Sequence, residues 1–91
     1  MRIEWLPRAE RDLDSQLDHI AKDNPTAAVD AGDRVFDHIE HLINNPAMGK
    51  PGRRAGTREL VVPRTPWIVV YRALGERVQI LRILHGSQRW P

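Results

Sequence analysis

A chain of 91 residues suffices for one domain with one core, and 41% hydrophobic against 29% charged residues is ordinary for a folded domain. The longest apolar run, Trp67 to Tyr71, is far too short to cross a membrane, the N-terminus has no signal-like apolar stretch, and the lack of cysteine excludes disulfides and thiolate zinc sites. A single cytoplasmic domain spanning residues 1–91, with no membrane partner, is the expectation. The net charge of +2 hides an asymmetry: residues 1–48 carry five lysines and arginines against ten acids, a balance of −5, whereas residues 49–91 carry nine against two, a balance of +7. Eight of those nine cations are arginine, whose planar fork suits carboxylate and phosphate. An acidic partner is the favoured reading, and mutual neutralisation of the two halves is the alternative.

Arg2-Ile3-Glu4-Trp5 alternates polar and apolar residues, as a short strand does. Pro7 then suits the first turn of a helix, and Ala9, Leu13, Leu17, Ile20 and Ala21 form its apolar stripe, with Arg11, Asp12, Asp14 and Asp18 on the other faces. Asn24-Pro25 stops this helix and caps a second, striped by Ala28, Ala31, Val35, Ile39 and Leu42 and ended by Asn44-Asn45-Pro46. So short a connection makes the helices antiparallel neighbours. Met48 to Gly56 is a basic loop rich in glycine. Beyond it, Arg58–Val62, Trp67–Ala73 and Arg77–Leu84 are β-branched runs separated by turn residues. The order β-α-α-β-β-β predicts an α+β domain with an antiparallel helical hairpin packed on a mostly antiparallel twisted sheet. Trp67 and Tyr71 lie in the most apolar strand and are expected in the core; for Trp90, core packing and surface contact are equally open.

Most residues that invite chemistry do not carry it. His38 and His41 share a helix face with Asp37 but have no second cluster to complete a metal site, so no metal or cofactor is expected. Ser15 and Ser87 lack the context of a catalytic serine, and Gly49-Lys50-Pro51-Gly52 lacks phosphate-loop spacing and a following helix. Two basic groups remain: Arg53, Arg54 and Arg58, and then Arg82, His85 and Arg89 beside Trp90. An antiparallel sheet could bring both groups to one exposed face, where arginine and an aromatic ring would engage a phosphodiester and an unpaired base, or clamp an acidic peptide.

Nearly the whole chain resembles the ParE/RelE superfamily of toxins from bacterial toxin–antitoxin modules. The resemblance rests on Trp5 and Pro7 to Leu13, on Asn24-Pro25, on Gly49 to Arg53, and most specifically on Thr57 to Val62, Val70-Tyr71-Arg72 and Ile83-Leu84-His85-Gly86 with Trp90. It implies a cognate antitoxin, of ParD-like type with an acidic and apolar C-terminal segment, and a place in plasmid stabilisation. RelE-like members cleave messenger RNA at the ribosome with basic residues and a proton-transferring group; ParE-like members poison DNA gyrase. Laid on the ribonuclease pattern without gaps, this chain puts Glu59 and Val61 at basic positions, Ile68 where an arginine follows the aromatic, and Gln88 near the late arginine. A shift of one residue brings His85 or Arg89 into play. The resemblance therefore implies a ParE-like gyrase inhibitor that is not itself an enzyme, with Arg53, Arg54, Arg58, Arg82, His85, Arg89 and Trp90 binding partners. Under the alternative, a metal-independent endoribonuclease acting on the ribosome and its mRNA, His85, Arg89 and Arg58 would be catalytic.

Overall fold

A computed structural model describes all 91 residues. Strand β1 (Arg2–Trp5) leads into helices α1 (Pro7–Asp23) and α2 (Pro25–Asn44), followed by strands β2 (Lys50–Pro51), β3 (Arg58–Val61), β4 (Trp67–Leu74) and β5 (Arg77–His85). Pro7 and Pro25 each occupy a first helical turn, and the Asn24 side chain accepts from Ala27 N–H at 3.1 Å, so one residue ends α1 and caps α2. The sheet runs β1-β5-β4-β3-β2. β1 lies parallel to β5, and every other pairing is antiparallel. The expected α+β architecture is thus present, with one correction. The loop around Lys50 contributes a fifth strand, two residues long, whose pairing to Arg58 and Glu59 supplies what its own sequence does not announce.

The helical hairpin covers one face of the sheet. Ala9 and Leu13 of α1 and Ala31, Val35, Ile39 and Leu42 of α2 pack against Leu60, Val62, Trp67, Val69, Tyr71, Val78, Ile80 and Ile83. Trp67 and Tyr71 are both buried, as their strand predicts. Tyr71 closes the core over the basic loop: its hydroxyl donates to Pro46 C=O at 2.7 Å and accepts from Gly49 N–H at 2.8 Å. Burial pushes its phenol pKa above the usual value, against the smaller opposing effect of the Gly49 hydrogen bond. A side chain at Gly49 would meet that hydroxyl at 2.7 Å, so the close approach requires glycine.

A bulge decides what the other face presents. Tyr71 pairs with Ile80 but Val70 pairs with Arg82, leaving Leu81 unpaired. Strict alternation would send Arg82 into the core and Ile83 out of it. The extra residue reverses them, so Ile83 is buried in the core and Leu81 and Arg82 both lie on the helix-free face.

Candidate functional site

On the helix-free face, cross-strand pairs set two rows. Lys50, Glu59, Val70 and Arg82 form one, and Arg72, Gln79 and Glu4 form the other. Glu59, Val70 and Leu84 are buried here although no helix covers them. Loop and tail segments fold back over them instead. Arg53 N–H donates to Glu59 Oε2 at 2.9 Å, its guanidinium lies 3.4 Å from Oε1, and its Nη1 donates to the carbonyl of Gln88 at 3.1 Å. Gly86 N–H reaches Pro66 C=O at 2.8 Å, and His85 N–H reaches the Gln88 side chain at 3.2 Å. Arg53 thus compensates a carboxylate only 3% exposed and straps the tail across the sheet.

Beside this strap opens a cleft of about 480 Å³, lined by Arg54, Ala55, Gly56 and Thr57 of the loop, Arg72 and Leu74 of β4, Leu81 and Arg82 of β5, and Trp90 of the tail. The Arg54 guanidinium stands 6.0 Å from the Trp90 ring centre, within cation–π range. Arg72 Nε donates to Gln79 Oε1 at 2.8 Å, a neutral partner that leaves its charge uncompensated. Gln79 in turn donates to Glu4, which also accepts from Arg77 at 3.3 Å. The Gln79 hydrogen bond, ahead of the Arg77 charge, holds the Glu4 carboxyl below its usual pKa.

The predicted site residues come together only in part. Arg53, Arg54, Arg82 and Trp90 share this face, but Arg53 is engaged by Glu59 and Arg82 by Asp12. Asp12 is not simply solvated, as its place off the apolar stripe suggested. It accepts from Arg82 Nε at 2.7 Å, Arg8 Nε at 3.2 Å and Ile83 N–H at 3.0 Å, capping the edge of β5 just beyond the end of β1. Arg58 pairs with Tyr71, on the helix side, and donates to Gly49 C=O at 2.8 Å, so it does not join the other arginines. His85 and Arg89 are exposed and lie outside the cleft lining; the His85 ring contacts Ser87 Oγ at 3.1 Å. Arg72 is the cleft residue that sequence reading passed over. Its alternation with Val70 on β4 was the available signal.

Residues 3–90 match the family model for the ParE toxin of type II toxin–antitoxin systems. The chain is 42% identical over 90 residues to the candidate toxin Y4kP of Sinorhizobium fredii, covering 99% of this chain and 93% of that protein. It is 30% identical over 86 residues to toxin RelE1 of Caulobacter vibrioides, covering 90% and 89%. Among solved structures, the chromosomal ParDE system of P. aeruginosa superposes with a TM-score of 0.82 at 31% identity, over 91% of this chain and 92% of that one. The RelBE2 toxin–antitoxin complex of Mycobacterium tuberculosis superposes with a TM-score of 0.57 at 28% identity, over 92% and 95%. A helical hairpin on a mixed sheet, with a strapped and arginine-lined open face, is in this chain the fold of the ParE toxin family, within the ParE/RelE superfamily of type II toxins, and the chain belongs to that family.

Proposed function

We propose that the protein arrests growth by inhibiting DNA gyrase and that a cognate antitoxin neutralises it. One observation carries the non-enzymatic reading. The nine residues lining the cleft bring three arginines and a tryptophan to one place but no carboxylate and no imidazole, so the site can bind but has no side chain suited to move a proton. Glu59 reinforces this: where a ribonuclease of the superfamily would present a cation, this chain buries an acid and spends Arg53 on it. The higher structural likeness to the ParDE toxin than to the RelBE2 complex agrees in direction.

The antitoxin is expected to resemble ParD and to lay an acidic and apolar C-terminal segment on the basic half of the chain, folding as it binds. Such a complex tightens as salt falls, within the limit set by its apolar anchors. Similarity to toxin RelE1 supports a second reading as a ribosome-dependent endoribonuclease, with exposed His85 and Arg89 near the reacting phosphate. The two part in one experiment: purified toxin assayed side by side on gyrase supercoiling and on ribosome-bound mRNA. Loss of supercoiling with intact mRNA is the expected result; cleaved mRNA with unaffected gyrase overturns it.

A further inference from the structure

We propose that the cleft between Arg54, Arg72 and Trp90 is a binding site for single-stranded DNA, taking a phosphodiester on the two guanidiniums and an unstacked base against the indole. The proposal rests on the gyrase reading, under which the toxin works where DNA strands are held open, but its chemistry is argued from the cleft alone. Of the three arginines there, Arg82 is neutralised by Asp12, whereas Arg54 and Arg72 enter none of the chain's four ion pairs. Two uncompensated guanidiniums beside one cavity, with no acid in its lining, attract an anion and present paired donors to it. Leu74 and Leu81 give the cleft apolar surface, and Trp90 adds a ring beside it. Every base has a π-face, so this combination of cationic groove and aromatic platform holds unpaired strands with little regard to sequence.

Two features favour DNA over its competitors. Recognition of RNA at such a site commonly uses the 2′-hydroxyl, and apart from the arginines that would hold phosphate the lining offers it one polar side chain, the Thr57 hydroxyl, which already donates to Arg54 C=O at 2.6 Å. An acidic peptide would satisfy the guanidiniums but would need no partly exposed indole stacked under one of them.

The test is direct binding of fluorescein-labelled oligo-dT of twelve nucleotides to the purified toxin, without gyrase, so that its failure is distinct from failure to inhibit supercoiling. Competitor arms use oligo-U of equal length, the dT·dA duplex, and a twelve-residue glutamate–leucine peptide. Oligo-dT is expected to bind at low salt in preference to the other nucleic acids. Arg54→Ala with Arg72→Ala should weaken it by tenfold or more and flatten the slope of log affinity against log salt by about 1.4, the loss of two phosphate contacts to a single strand. Trp90→Ala should weaken it by about fivefold or more. Arg11→Ala with Lys22→Ala, which removes the same charge from exposed positions of α1, should leave it unchanged. Melting curves of each variant confirm the fold, which these substitutions leave in place because Arg54 and Arg72 are exposed. The proposal is overturned by any of three results: no oligo-dT binding at low salt, equal weakening by the α1 pair, or tighter binding of oligo-U or of the peptide alone through the same arginines.

Discussion

The two faces of the sheet are built from the same strands and solve opposite problems. On the helix side, the packing follows from the apolar stripes, because burial against α1 and α2 needs only the right side chains at the right period. On the other face no element arrives to cover the strands. Burial there is improvised from a loop, a tail and one arginine strapped over a carboxylate. The first face is held by apolar area, which tolerates detail; the second is held by a few directional contacts, each of which matters singly.

Breaking the helix-side face should have the largest effect. Trp67→Ala removes a fully buried indole and should cost about 3–5 kcal/mol, much of a small domain's stability, so that cooperative melting is lost near room temperature. A variant that melts like the parent would mean that the core does not depend on that face. Next in size is Asp12→Ala, which leaves Arg82 and the Ile83 N–H without their acceptor at the edge where the two faces meet. About 2–3 kcal/mol is expected, measured by urea unfolding, and Arg82→Met should restore part of it in the double variant.

The open face is sharpened rather than broken by tail substitutions. Arg89→Ala with Trp90→Ala should abolish growth arrest on expression without antitoxin while melting stays near the parent, through about 1–3 kcal/mol of lost binding. His85→Gln should remain toxic, since under the gyrase reading it moves no proton; a folded but inert His85→Gln variant would favour the ribonuclease. The smallest effect belongs to Glu4. Its carboxyl titrates below the ordinary 4.5, so its contribution to stability is present above that pH and lost as pH falls through the lowered value. Glu4→Gln should therefore melt slightly below the parent at neutral pH and no differently in strong acid. A difference that grows on acidification would reverse the sign and the assignment.

What could be read from the chain divides along the same line. The helices, the Asn24 cap, the strands β1, β3, β4 and β5 and the core places of Trp67 and Tyr71 follow from period and turn residues, which act locally. β2 was not legible, because two residues become a strand only when Arg58 and Glu59 stand opposite. Nor was the fate of Arg82. Its exposure depends on the bulge at Leu81, and its charge depends on Asp12, seventy positions away in sequence. Of the basic residues, sequence supplied the inventory, and tertiary structure separated those already engaged from those still free.

The parallel pairing of the first strand with the last has a consequence for how the molecule is made. Glu4 meets Gln79 across 75 positions, the whole helical hairpin and three other strands intervening. A contact of such long range contributes to folding only after most of the closure entropy has been met, so β1 joins the sheet late. During synthesis the N-terminal strand emerges first and must wait, its edge unpaired, until β5 exists. The cleft joins the loop from Arg54 to Thr57 to β4, β5 and the tail, so its last wall exists only once Trp90 has been added. A ribosome that stalls before Arg77 therefore leaves a nascent chain with neither a finished sheet nor a finished cationic cleft.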